Sequence, residues 1–155
     1  MAQIASSSAS KQNFSPHDYL ARVENTRNSR SANCISTALY LSGLLREDFP
    51  VIDTWDAAYY LRALSKAEPV RPGCLLAWQS SKELTECTEV PHMGIVVSLQ
   101  PFLITHRKGI GFLLEEAVSP GEMIKKYDQY EMQAYLPILT GSFPRGLVCS
   151  LRFNE

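Results

Sequence analysis

The apolar pattern of this 155-residue chain changes period once, between Pro69 and Gly73, and that change limits the folds open to it. Before it, apolar residues recur at three- and four-residue intervals, the spacing of one helix face. After it, they come in short runs separated by Pro, Gly and polar residues, the spacing of strands and turns. Helices followed by a run of short strands predict an α+β architecture, with N-terminal helices packed on one side of an antiparallel meander.

The helical half has its own punctuation. Ser15 as N-cap, Pro16 at the first helical position and Asp18 three residues after the cap predict a helix from about Pro16 to Thr26. "NSRSAN" breaks it. Asn33 is a strong N-cap for a second helix, and Ile35, Ala38, Leu39, Ser42 and Leu45 recur at helical spacing, so this helix is expected to be central and buried. Asp53 and Thr54 are placed to cap a third, "WDAAYYLRALS", with Ala57, Ala58, Leu61 and Leu64 on one face, and Pro69 and Pro72 forbid its continuation. Beyond "RPG", "CLLAW", "HMGIVVSL", "FLITH", "GFLLEE" and "YEMQAYLPI" read as strands, "SPGEMIKKY" as a short helix and "GLVCSLRF" as a closing strand. Residues 1–13, rich in Ser and Ala, read as a disordered tail, and residues 14–155 as a single domain.

Composition removes several function classes. With 45% hydrophobic and 20% charged residues the chain has a globular balance. Its net charge of -1, without a basic run, leaves no footprint for nucleic acid or an anionic membrane. No apolar stretch approaches the roughly 20 residues of a spanning helix, and the N-terminus shows no charged start followed by an apolar block. Cytoplasmic residence is the default expectation, with export by a route that reads no such signal left open. The four cysteines, Cys34, Cys74, Cys87 and Cys149, form no Cys-x-x-Cys pair and read as thiols. Nothing in the pattern specifies an oligomeric state.

Three residues carry the chemistry. Asn33 as N-cap puts Cys34 at the first helical position, where free backbone N–H groups and the positive end of the helix dipole favour an anion, so a lowered thiol pKa is expected. His92 opens the strand "HMGIVVSL" directly after Pro91, where an imidazole can face a helix N-terminus, take the thiol proton and return it to a leaving amine. His106 lies on the next strand; pairing through the short "QP" turn would bring it to His92, to fix its tautomer. Each residue alone has an ordinary structural reading: a small buried hydrophobe for Cys34, a hydrogen-bonded or surface histidine for the others.

Their order resembles the NlpC-type cell-wall peptidases, a papain-like superfamily of cysteine hydrolases. "NCISTALYL" is similar to that family's Asp/Asn-Cys-Ser-Gly-Phe helix, "RPGCLLAW" to its Pro-Gly-Asp-Leu-Val-Phe-Trp strand and "HMGIVVS" to its His-Val-Gly-Ile-Tyr strand. "FLITHRKG" resembles the following strand, which carries the third polar residue. The resemblance runs from about Asn33 to Gly109. It implies a papain-like fold and a catalytic triad of Cys34 as nucleophile, His92 as general base and His106 as orienting residue. It also implies a peptide or isopeptide amide substrate, cell-wall peptide fragments among them, and no cofactor. Cys74 stands where the family has aspartate, and Ile35, Ser36 and Thr37 replace its Ser-Gly-aromatic run.

Three other readings compete. Cys74, Cys87 and His92 could ligate a metal with Cys34, His106 or Cys149, but the close ligand pairs of structural zinc are missing. A papain-like shell with no assembled triad would be a binding module. The same thioester chemistry would also serve a deamidase or thiol acyltransferase; the order Cys before His favours hydrolysis. Trp55, Tyr59 and Tyr60 read as core and rim, and Glu83, Glu86 and Glu89 as a solvated loop or a flap leading into His92.

Overall fold

A computed structural model describes residues 15–47 and 51–140. Helix α1 (Pro16–Thr26) starts as the sequence dictates, with the Ser15 hydroxyl accepting from the Asp18 N–H. Helix α2 (Cys34–Leu41) is held by a reciprocal capping box: Asn33 Oδ1 accepts from Ser36 N–H at 3.0 Å and Ser36 Oγ from Asn33 N–H at 3.1 Å. It stops earlier than the apolar spacing to Leu45 suggests. Gly43 takes φ +88, a left-handed conformation that glycine adopts without penalty. Its N–H bonds Tyr40 O while Leu44 N–H bonds Leu39 O, the paired closure of a Schellman motif. Leu45 is still buried, in the turn beyond the helix.

The third helix is shorter than its periodicity predicts. Helix α3 spans Ala57–Leu61, and Asp53 shapes the turn ahead of it by accepting from Trp55 N–H at 2.8 Å rather than capping it. Leu64, expected on that helix face, instead opens strand β1 (Leu64–Lys66). The other strands are β2 (Leu75–Gln79), β3 (His92–Leu99), β4 (Phe102–Arg107), β5 (Leu114–Val118) and β6 (Glu131–Leu139), with helix α4 (Gly121–Lys126) before the last.

All pairings are antiparallel, and the order across the six-stranded sheet is β1-β6-β2-β3-β4-β5. The expected meander holds only for β2 to β5. Strand β6 crosses back to pair with β2, and β1 completes that edge. The fold class is therefore α+β as read from the sequence, with a rearranged sheet.

The two faces are covered differently. Ile35, Ala38, Leu39, Ala57, Tyr60 and Leu61 from the first half of the chain pack on Leu75, Ala77, Met93 and Tyr135. Val23 and Tyr40 extend this layer over Ile95 and Leu114. On the opposite face Leu76, Trp78, Val96, Ile104 and Ala134 pack with Met123 and Tyr127 at and beyond α4. Helices thus lie on both faces, not on one, because the Met123 to Tyr127 stretch supplies the apolar cover that the second face of a two-sided core requires. Among the described residues, no helix is long and apolar enough to cross a membrane. The tail 1–13, the strand read in "GLVCSLRF" and Cys149 lie outside the described residues.

Candidate active site

Two of the three sequence-selected residues meet directly. The two-residue Gln100-Pro101 turn folds β4 onto β3, with Leu99 opposite Phe102 and Ile95 opposite Thr105. His106 is thereby set diagonally across from His92, with Gly94 between them on the shared face. An added Cβ at Gly94 would stand 3.2 Å from His106 Cβ and 3.3 Å from both Ile104 Cδ1 and the Thr105 carbonyl. The bare backbone at Gly94 is what lets His106 lean across. His92 Nε2 and His106 Nδ1 lie 2.7 Å apart in a buried hydrogen bond, the rings edge to face.

His92 is fully buried, stacked on Tyr127 at 5.7 Å between ring centroids and tilted against Trp78 at 5.4 Å. Its second nitrogen, Nδ1, is buried without a hydrogen-bond partner among the described residues, as is Trp78 Nε1. A buried polar atom left unmatched costs on the order of 1–3 kcal/mol, so its retention asks for a reason outside folding. Burial, and secondarily the positive field of His106 and Lys126, pushes the His92 pKa down to about 3, so the ring is neutral across the ordinary pH range.

Cys34 sits at the first position of α2, as the capping pattern predicts, in the core cluster formed by α2 and α3 on the sheet. Its thiol donates to the carbonyl of Pro91 at 3.5 Å, the peptide group that leads into His92. The thiol therefore reaches the start of β3, while the imidazole of His92 packs against Trp78 and Tyr127. The two are not hydrogen-bonded to each other. The expected lowering of the thiol pKa is also reversed. Burial raises it to about 11, outweighing the N–H groups of Met93, Cys34 and Ile35 that favour the thiolate. A helix N-terminus offers at most a couple of kcal/mol to an anion, and desolvation of a nearly closed site exceeds that. Cys34 is 6% exposed.

One residue was missed by the sequence reading. Glu115 Oε1 lies 3.6 Å from His106 Nε2, and Lys108 Nζ lies 3.4 Å from Glu115 Oε2 and 3.0 Å from Glu122 Oε2. Glu115 is the cross-strand partner of His106 in the β4–β5 pairing. The clue in the sequence was the paired Glu115-Glu116 on the strand after His106; which of the two faces the histidine depends on a bulge that no periodicity reports. Burial lowers the His106 pKa, and Glu115 opposes that shift while Lys108 adds to it.

The remaining candidates separate. Cys74 is buried in the second face of the core, and Cys87 is exposed on the loop between β2 and β3. No cluster of three or more metal-ligating side chains occurs among the described residues. The Ser80–Pro91 connection is tied to itself, with the Thr88 hydroxyl bonding Ser81 Oγ and Thr85 N–H at 2.8 Å each. It also reaches the α3 side, where Val90 N–H donates to Thr54 O at 2.9 Å. Trp55 is half exposed on that rim. A buried Arg107 fastens the opposite rim: it donates to Thr37 Oγ1 at 2.9 Å, Thr26 O at 2.9 Å and Phe112 O at 3.0 Å, joining α1, α2 and the β4–β5 loop.

No family model, curated protein or solved structure matches this chain.

Proposed function

We propose that the protein is a cysteine hydrolase of papain-like type acting on a peptide or isopeptide amide, with Cys34 as nucleophile, His92 as general base and His106 as the residue that orients His92. The observation that carries this reading is the buried His92–His106 hydrogen bond at 2.7 Å. It leaves His92 Nδ1 unpartnered, one peptide away from the carbonyl that holds the Cys34 thiol.

In the reaction the Cys34 sulfur attacks the amide carbon and its proton passes to His92 Nδ1. The tetrahedral oxyanion is met by N–H groups at the start of α2, the amine leaves with the proton, and water cleaves the thioester. The attack requires the Cys34 side chain to turn from Pro91 toward the imidazole. Because the resting pair is neutral thiol and neutral imidazole, the base acts during attack rather than beforehand. The rate is then flat with pH between the limits near 3 and 11. Cell-wall peptide stems are the first substrates to try, on the strength of the sequence resemblance alone, and acyl transfer to another acceptor would use the same thioester.

The test is a mass-spectrometric screen of peptide and isopeptide amides, stem peptides included. Turnover is expected to vanish in Cys34→Ala and His92→Ala and to fall less in His106→Ala. Turnover that survives Cys34→Ala would move the chemistry elsewhere. A second reading, a non-catalytic binding module, is favoured by one observation: Cys34 is nearly closed to solvent and bonded to backbone instead of the imidazole. Inertness of Cys34 to alkylation at every pH below unfolding would support it.

A further inference from the structure

The geometry points to Glu115 as a positioning residue that sets the tautomers of both buried histidines and thereby leaves His92 Nδ1 free to receive a proton. The inference rests on the proposed hydrolase reading for its role, but its physical content can be tested without substrate.

Two neutral arrangements fit a hydrogen bond between His92 Nε2 and His106 Nδ1. In one, His92 donates from Nε2, His106 accepts at Nδ1 and carries its proton on Nε2, and His92 Nδ1 is a bare lone pair. In the other, His106 donates from Nδ1, His92 carries its proton on Nδ1, and His106 Nε2 is bare. Only the first can accept the thiol proton. The carboxylate of Glu115 stands 3.6 Å from His106 Nε2. That is longer than a full hydrogen bond, but a negative charge at this distance in a mostly buried site attracts a proton on Nε2 and repels a lone pair there. Glu115 therefore selects the productive arrangement through two rings.

The backbone gives this contact a specific origin. Strands β4 and β5 pair Ile104 with Val118, and regular continuation would put Glu116 opposite His106. An extra residue in β5 shifts the pairing, so that Glu115 stands there instead. The bulge holds Ala117 at φ +51, the left-handed region that a non-glycine residue adopts at a cost, with its N–H bonded to Thr105 Oγ1 at 3.0 Å. Glu116, displaced from the histidine, forms a two-pronged pair with Arg27 at 2.6 and 3.1 Å. Lys108 bridges Glu115 to Glu122 and fixes the carboxylate in place.

The experiment uses the full chain labelled with ¹⁵N-histidine, which gives only three imidazole spin systems, from His17, His92 and His106. Long-range ¹H–¹⁵N correlation at neutral pH reads the tautomer of each ring. The expected wild-type result is a proton on Nε2 of both His92 and His106. In Glu115→Ala the ratio of Nε2–H to Nδ1–H forms at His106 is expected to fall at least tenfold, with His92 gaining the Nδ1–H form in step; Glu115→Gln, closer in shape, gives the same direction should the alanine variant not fold. A wild-type His106 protonated on Nδ1, or tautomers unmoved by removal of the carboxylate, would overturn the inference. Failure of the hydrolase reading is distinguishable, because absent turnover and an inert Cys34 leave the tautomer measurement untouched.

Discussion

Lowering the pH from 7 to 5 is expected to remove about 2 kcal/mol of stability through His92 alone. Burial holds the folded-state pKa near 3, whereas the unfolded chain takes up the proton near the ordinary value of 6.5. The unfolded state thus binds more protons between those limits. The contribution is fully present above 6.5 and is lost as the pH falls toward 3. At pH 5 the unfolded histidine is almost fully charged and the folded one is not. The loss is the 1.5 units between 6.5 and 5 at about 1.4 kcal/mol each, less a small remainder already present at pH 7. This result is insensitive to the folded pKa as long as that stays below about 4. Urea unfolding at the two pH values reads it: with a slope of about 2 kcal/mol per molar, the wild-type midpoint falls about 1 M further than that of His92→Gln. The comparison between the two proteins cancels the titration of unrelated groups. Equal midpoint shifts in both would refute the reasoning, since they would mean that His92 charges in the folded state as easily as in the unfolded one.

Other perturbations act on separate parts of the structure. Gly94→Ala forces a Cβ to within 3.2–3.3 Å of β4; overpacking of about 2 kcal/mol outweighs the gain of under 1 kcal/mol from losing a strand glycine, so thermal unfolding is expected about 3 °C lower, and unchanged or raised stability would argue against the close approach. Ala117→Gly relieves the positive φ and is expected to stabilise by about 1 kcal/mol in chemical denaturation, where most glycine substitutions in strands destabilise. Arg107→Met leaves the carbonyls of Thr26, Ser29 and Phe112 without that donor and is expected to lower stability by about 3 kcal/mol or more, read by the same urea titration. In native alkylation at pH 8, Cys87 reacts before Cys34 and Cys74, and Cys34, with its thiol raised to about 11, reacts about 100-fold more slowly than in the urea-unfolded chain; comparable rates would contradict the burial argument.

What could be read from the chain came from local rules. Ser15 with Pro16, and Asn33 with Ser36, mark helix starts whose hydrogen bonds close within three residues, so the positions of α1 and Cys34 follow from the sequence. The runs beginning at Leu75, His92, Phe102 and Glu131 were legible as strands because β-branched and aromatic residues cluster there between turn residues. The meeting of His92 and His106 was legible too, because a two-residue turn fixes the register of its own hairpin.

The rest was decided at long range. Leu64 continues a helical spacing, yet it lies in a strand because β6, arriving some seventy residues later, offers it a backbone partner. The sequence places Cys34 at a helix start and so argues for a low thiol pKa; the packing of two helices and β3 around it removes water and reverses the sign. Glu115 and Glu116 are equivalent as sequence, and one bulged residue near Ala117 assigns the first to His106 and the second to Arg27. By itself, then, the sequence determined most of the elements, the fold class and the pairing of the two histidines, since caps, turns and alternation are interactions between near neighbours. The tertiary structure alone decided the strand order, the protonation of the thiol and the carboxylate behind the histidines, because pairing partners, desolvation and cross-strand charge depend on residues that only the fold brings together.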